Sequence, residues 1–336
     1  MKTFNRRDFI KTTAATGFGL SIGGAAFAAG NTPEVGKRVG IIGLDTSHSI
    51  AFTKVLNAAS PNPEYKGYKV VAAYPYGSKT IASSADRIPG YIEQVKEMGV
   101  AITGSIKELL QQVDVVLLET NDGRLHLEQA LEVFEAGKRM FIDKPIAASL
   151  EDAVAIFEAS KKHNIPVFSA SSLRYIKGAQ ELDKSQVIGA DAYSPCTYEA
   201  THPDLYWYGI HGVETLFTVM GTGCQEVTRI HTPDTDVVVG TWEGGRIGTF
   251  RGSRSGKSAY GGVVYTSSGV VSLGPYGGYD PLLLEIINYF ETGKVPVSPK
   301  ETLEIFAFMT AADESKAEGG RPVSLEEVLR KAQSNK

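Results

Sequence analysis

Three short stretches hold side chains whose type and spacing could do chemistry. In AGKRMFIDKPIAAS, residues 136–149, a glycine that stops a helix precedes an apolar strand, and that strand delivers Asp143, Lys144 and Pro145. In open α/β sheets ligands lie beyond the carboxyl ends of the strands, so Lys144 falls at a site and not in the core. Its ammonium can hydrogen-bond a hydroxyl or carbonyl oxygen and help carry a proton as charge develops there. In YWYGIHGVETLFTVMG, residues 206–221, His211 and Glu214 are three apart and share a face near the start of a helix. Imidazole titrates near neutrality, which suits it to take a hydroxyl proton. Tyr206, Trp207 and Tyr208 precede it and offer aromatic faces, either for a sugar ring or for domain packing.

The third stretch is GIIGLDTSHSIAF, residues 40–52. An apolar strand, a turn and a helix are the setting of the glycine-rich G-x-G-x-x-G loop that receives a dinucleotide pyrophosphate. Gly43 keeps the first glycine place, Asp45 takes the second and His48 the third. A carboxylate aimed at phosphates is repelled, unless it turns away to cap the helix, as Asp45, Thr46 and Ser47 are all suited to do. The helix dipole and its free N–H groups persist, so an anion can still be received. The second strand ends in AAYPYGSK, residues 72–79, without the acid that an NAD ribose prefers; Ser78 and Lys79 suit a 2′-phosphate instead.

These residues need a scaffold, and its outline is periodic. Between residues 37 and 171, apolar strands at 39–42, 69–73, 100–102, 113–118, 139–142 and 166–170 alternate with helical segments at 49–59, 90–98, 106–111, 125–136 and 150–163. Unalternating apolar strands separated by helices indicate a doubly wound parallel sheet covered on both faces. After Arg174 the pattern changes to strands at 187–200, 226–231, 237–242, 246–251, 263–265 and 270–273, one helix at 209–220, and closing helices at 280–291, 300–318 and 325–333. This predicts an α/β Rossmann-type domain, residues 37–172, followed by an α+β domain on a largely antiparallel sheet, residues 173–336.

Residues 1–28 carry a twin-arginine pattern, Arg6-Arg7, a weakly apolar Gly/Ala-rich run and an A-x-A site at Ala26-Phe27-Ala28. The run is too short and too rich in glycine to span a bilayer, so no stable membrane anchor is expected. Export by the twin-arginine route to the periplasm, with cleavage near Ala28, is expected instead. The net charge of −4 becomes −7 without that segment, which holds Lys2, Arg6, Arg7 and Lys11 against Asp8. A mildly acidic chain without a basic block is a poor nucleic-acid binder. Two cysteines, Cys196 and Cys224, exclude a disulfide framework, although that pair could bond in an oxidising compartment. His202 and Asp204, with His211 and Glu214, could offer nitrogen and oxygen ligands, but the spacing is generic, and no metal is expected.

The segment DKP, the stretch DVVLLETNDGRLHLEQALEVFEAGK at 114–138 and IPVFSASSLRY at 165–175 together resemble the Gfo/Idh/MocA family of NAD(P)-dependent sugar and inositol oxidoreductases. Asp143 stands where that family usually has glutamate. The resemblance is strongest over residues 114–175 and weak beyond Gly223. It implies NAD or NADP held by Gly43, Leu44, Asp45, Thr46, Ser47, His48, Ser78, Thr120, Asn121, His126, Asp143 and Lys144. It implies catalysis by Lys144 and His211, a carbohydrate substrate met by Arg174, Tyr175, Trp207, Tyr208 and Glu214, and a homo-oligomer formed through the antiparallel sheet. The family often has an aspartate four residues before the histidine, where this chain has Trp207. Three functions stay open: net hydride transfer with a sugar or polyol, a closed oxidation–elimination–reduction cycle that cleaves glycosides, and a carbohydrate-binding accessory protein with a degenerate nucleotide site.

Overall fold

The computed structural model describes residues 37–334; the expected export segment lies outside them. The first sheet has six parallel strands: β1 (Arg38–Ile42), β2 (Lys69–Tyr74), β3 (Ala101–Ile102), β4 (Val115–Leu118), β5 (Arg139–Ile142) and β6 (Val167–Ser169). Their order is β3-β2-β1-β4-β5-β6, which reverses between β1 and β4 and opens a crevice at their carboxyl ends. Helices α1 (Ser47–Leu56), α2 (Ala82–Ala85), α3 (Ile88–Glu97), α4 (Ile106–Leu110), α5 (His126–Glu135) and α6 (Leu150–His163) connect them. Side chains on both faces of β4 are fully buried, which is why the run shows no alternation. Local chemistry sets the helix ends: Ser105 and Ser149 accept the N–H of Glu108 and Asp152, and Asn164 closes α6 in the left-handed region.

The second sheet is built from β7 (Val187–Pro195), β8 (Cys224–His231), β9 (Thr235–Trp242), β10 (Arg246–Ser253), β11 (Gly261–Thr266), β12 (Gly269–Leu273) and the short β13 (Val323–Ser324). Their order is β12-β11-β7-β10-β9-β8-β13; β7 and β10 run parallel and the remaining pairs antiparallel. One face is covered by α7 (Gly209–Met220), whose twelve residues are all buried, and by α9 (Pro299–Ala317). The other face is open, with Ile188, Tyr193, Ile247 and Tyr265 exposed.

Helix α8 (Asp280–Thr292) follows the second sheet in sequence yet packs on the first. Leu282, Leu283, Ile286, Ile287 and Phe290 share one buried cluster with Val39, Ile41, Phe141 and Phe168. The Tyr289 hydroxyl donates to the Pro166 carbonyl, and Arg139 donates to the carbonyl of Phe290. The chain therefore closes back on its own beginning, and α10 (Leu325–Ser334) ends it beside α9.

Two expectations change in detail. The strand expected to reach residue 200 ends at Pro195, where the chain leaves the sheet for the loop that carries His202. Short elements without a long periodic signal, α2 and β13, were not visible in the pattern. The position of α7 depends on one close approach: a Cβ at Gly212 would lie 2.4 Å from Phe250 Cε2 on β10. Gly212→Ala is therefore expected to cost about 1–3 kcal/mol through overpacking, read as a lower midpoint in urea unfolding.

Candidate functional site

The loops after β1, β2, β4, β5 and β6 meet at the carboxyl edge of the first sheet, and the amino-terminal turn of α7 comes to them from the second domain. Lys144, 9% exposed, follows β5, and its N–H donates to its neighbour's Oδ1 on Asp143 at 2.8 Å. His211, in the first turn of α7, holds its Nδ1 2.6 Å from Ser171 Oγ in the loop after β6. Burial, with the charges of Lys144 and His48 nearby, pushes the His211 pKa well below the ordinary histidine value. Burial thus favours the neutral imidazole, and in the tautomer that donates Nδ1–H to Ser171 Oγ, Nε2 keeps a lone pair for a proton. Tyr208 and Tyr260 each place a ring 5.8 Å from the His211 ring, and Tyr276 hydrogen-bonds Ser172 beside it.

Behind His211 lies a buried ion network. Glu214 accepts from the Ser171 N–H at 2.8 Å and from Arg174 Nε at 2.9 Å, and Arg174 also pairs with Glu301 at 2.7 Å. Arg174 and Glu214, expected at the substrate, are instead bonded to each other and hold Ser171 in place. Tyr175 is also turned inward, its hydroxyl buried. Trp207 is buried against His202, with ring centres 5.1 Å apart, whereas Tyr208 stays partly exposed. Of the aromatic trio only Tyr208 faces the cleft beside His211; Tyr206 packs on Phe306.

The glycine loop is closed by a side chain. Gly43, at φ +91°, lies so near the loop after β4 that a Cβ would fall 2.5 Å from Thr120 N. Asp45 is fully buried and spans the crevice: one oxygen accepts from Ser78 N at 2.8 Å, the other from Asn121 N at 2.9 Å. It does not cap α1; Thr46 does, accepting from His48 N, while Ser47 is exposed. Leu44 is core. Ser78 also donates to Asp122, Arg124 joins Asp122 to Thr80, and the Asn121 side chain donates to Ser84. The loops after β2 and β4 are thereby tied together across the place where a dinucleotide would lie. His126 sits deeper than expected: its ring nitrogens face the carbonyls of Thr120 and Ile146, and the neutral ring that burial favours can donate to one of them. A cavity of about 540 Å³ opens beyond β2, lined by Tyr74, Tyr76, Ser78, Lys79 and Thr103 among others.

His202, Asp204, His211 and Glu214 do not converge: His202 accepts from the Gly123 N–H, Asp204 accepts from Arg229 and Lys316, and the other two are engaged as described. Cys196 and Cys224 are both buried free thiols. Among the described residues one other group draws together, His48, Glu119 and Asp143. Sequence reasoning missed Glu119, and also Tyr260, Tyr276 and Tyr279, which reach the cleft from a loop-rich segment far along the chain.

Residues 37–171 match the model of the oxidoreductase family with an NAD-binding Rossmann fold, Gfo/Idh/MocA. An uncharacterized oxidoreductase of Streptococcus pneumoniae is 29% identical over 120 residues; the match spans about a third of either chain, 33% of this one and 32% of the relative. Solved structures share the whole two-domain fold. Scyllo-inositol dehydrogenase from Lactobacillus casei, with bound NAD(H) and scyllo-inositol, superposes with a TM-score of 0.68 at 16% identity, covering 86% of this chain and 99% of that one. Myo-inositol 2-dehydrogenase from Lactobacillus plantarum gives 0.68 at 17%, covering 85% and 98%. UDP-N-acetylglucosamine 3-dehydrogenase from Acidithiobacillus ferrooxidans gives 0.65 at 15%, covering 83% and 98%.

Burial raises the Asp45 pKa from 3.8 to about 6. The folded state binds this proton more tightly than the unfolded chain, so the contribution of Asp45 to stability falls as pH rises from about 4 through about 6. Asp45→Asn removes that fall. The stability of the variant relative to wild type is expected to improve by up to about 3 kcal/mol between pH 4 and pH 7, measured by urea unfolding at each pH. A difference independent of pH would show that Asp45 titrates normally.

Proposed function

We propose that the protein is an NAD(P)-dependent oxidoreductase that moves a hydride between the nicotinamide and a carbon of a sugar, polyol or sugar derivative. One observation carries this reading: a neutral, oriented histidine from the second domain and a lysine from the first meet at the carboxyl edge of a Rossmann sheet, beside Tyr208 and Tyr260. The nucleotide fits best at one end, where the cavity beyond β2, with Tyr74, Tyr76, Ser78 and Lys79 in its wall, has the size for an adenosine half. Thr120, Asn121, Asp143 and Lys144, expected at the nicotinamide half, are buried beyond β4 and β5. The loop from Gly43 to His48 lies between, where Asp45 must release Ser78 or Asn121 to let phosphates cross. When bound, the nicotinamide supplies the hydride acceptor or donor.

The residues of the chain do the rest. Lys144 donates to the substrate oxygen and stabilises negative charge there. His211 Nε2 takes the hydroxyl proton, and its positive charge is disfavoured by burial and by Lys144, so it returns the proton readily. Ser171, held through Glu214 and Arg174, fixes the ring. Tyr208 presents an aromatic face to the apolar side of a sugar. The open face of the second sheet supports assembly into a homo-oligomer, and the amino-terminal twin-arginine sequence supports export to the periplasm. Arg6→Lys with Arg7→Lys is expected to hold the chain in the cytoplasm; unchanged recovery of a processed chain in the periplasmic fraction would refute the export route.

The accessory-protein reading has a specific observation of its own, the Asp45 bridge that closes the crevice. Heat release from purified protein, followed by titration with NAD and NADP, separates the two: the enzyme reading expects nucleotide in at least one assay, and none in both would end it. Lys144→Ala and His211→Ala are each expected to lower turnover with an active sugar about a hundredfold or more while leaving nucleotide binding largely intact. Because the His211 pKa is lowered, activity should be kept as pH falls through 6.5 and lost only below it. Full turnover in either variant would remove that residue from its role.

A further inference from the structure

The carboxyl ends of β1, β4 and β5 bring His48, Glu119 and Asp143 together below the surface, at 6%, 0% and 0% exposure. One ligand atom from each lies within 4.8 Å of the other two. His48 Nδ1 is 2.9 Å from Asp143 Oδ2 and 4.0 Å from Glu119 Oε2. Neither Glu119 oxygen has a hydrogen-bond partner, and neither do His48 Nδ1 and Asp143 Oδ2, so the 2.9 Å contact lacks the alignment of a hydrogen bond. Both Glu119 oxygens are thus buried without a donor, and His48 Nδ1 and Asp143 Oδ2 meet only as a close charge contact beside them. Buried polar atoms are almost always bonded, and a buried carboxylate is costly unless it is paired or binds a metal.

The surroundings hold this geometry and do not satisfy it. The Lys144 N–H donates to Asp143 Oδ1, which leaves Oδ2 turned to His48. Tyr279 meets the His48 ring edge-on at 4.6 Å, and Phe52 lies 5.8 Å away, so the imidazole is fixed from behind. The Lys144 charge bears on both carboxylates, yet its ammonium satisfies none of the orphaned oxygens. Without further positive charge the pair divides: burial and the neighbouring Asp143 raise the Glu119 pKa far above the ordinary range, while burial of Asp143 is outweighed by His48 and Lys144, which hold it low.

We propose that His48, Glu119 and Asp143 form a binding site for one first-row divalent cation, Mn²⁺ or Zn²⁺. One imidazole nitrogen and two carboxylates are a mixed donor set that suits these ions, whereas Ca²⁺ requires six to eight oxygens, more than three side chains of this kind provide. Atoms within 4.8 Å of one another can all reach a central ion at about 2.0–2.2 Å after small side-chain movements. Three protein ligands leave positions open, and the cleft of Lys144 and His211 is where an oxygen of a small molecule would take one. There the ion polarises that oxygen as a Lewis acid, alongside Lys144. His48 and Glu119, which replace what is usually a glycine and stand at a strand end, thereby acquire a joint purpose.

The site is tested on the full chain, without nucleotide or sugar, so its failure leaves the hydride-transfer reading untouched. Protein stripped with a chelator is titrated with Mn²⁺ and, separately, Zn²⁺ by calorimetry, with bound metal counted by elemental analysis. The expected result is one ion per chain with Kd in the micromolar range or below for at least one metal, and a melting temperature raised by several degrees. Glu119→Gln and Asp143→Asn, which keep shape and remove charge, should each weaken binding at least about tenfold. Nitrogen coupling in the electron spin echo of the Mn²⁺ complex should be present in wild type and absent in His48→Ala. If neither ion binds folded protein, or if binding is unchanged in both Glu119→Gln and Asp143→Asn, the proposal is overturned.

Discussion

Everything at the cleft depends on how three carboxylates are kept inside it. Asp45, Glu119 and Asp143 are fully buried at the carboxyl ends of adjacent strands, where like charges cannot all persist in a medium of low polarity. Each is handled differently. Asp45 accepts two backbone N–H groups and is pushed toward neutrality; Asp143 is held charged by His48 and Lys144; Glu119 is left without a donor. His48 and Lys144 stand among these acids and bear on His211, so the proton affinity of the general base is tied to the state of the whole group. A change at any one carboxylate is felt by the others through the same few ångströms of dry protein.

The two domains share the site unequally. The first supplies the charged floor, and the second supplies His211 and the tyrosines. Their junction is a chain of bonds from Glu301 on α9 through Arg174 and Glu214 to Ser171 and the imidazole. Since Ser171 belongs to the loop after β6, the side chain that orients His211 comes from the domain opposite its own helix. The histidine is therefore well placed only when the domains are docked.

Much of this was legible in the sequence, for identifiable reasons. Strands buried on both faces read as continuous apolar runs, and long helices show a clear period, so β5, α6 and α7 were bounded to the residue. Lys144, Asp143 and His211 could be placed because each sits directly beyond or at the head of such an element. Glu119 could not. In LLET it looks like an ordinary polar end to a strand, and its isolation emerges only when the ends of β1 and β5 close over it. Tyr260, Tyr276 and Tyr279 lie in glycine-rich turns without period, so their convergence depends on tertiary structure. Arg174 and Glu214 were located correctly along the chain, yet their side chains are spent on each other, since two opposite charges buried within reach will pair before they wait for a ligand.

The return of α8 to the first sheet has a consequence for how the molecule is made. Val39, Ile41, Phe141 and Phe168 are all synthesised more than a hundred residues before the helix that covers them. During translation α1 and α3 can cover part of that apolar face, through Phe52, Leu56 and Val95, but the part under α8 stays bare, and contacts of such long range form slowly because loop closure precedes any gain from packing. The nascent first domain is thus an incomplete globule with a greasy side, the kind of surface that chaperones hold and that aggregates when they do not. Completion waits for residues 280–292 to emerge, so the first domain matures only after most of the second has been made.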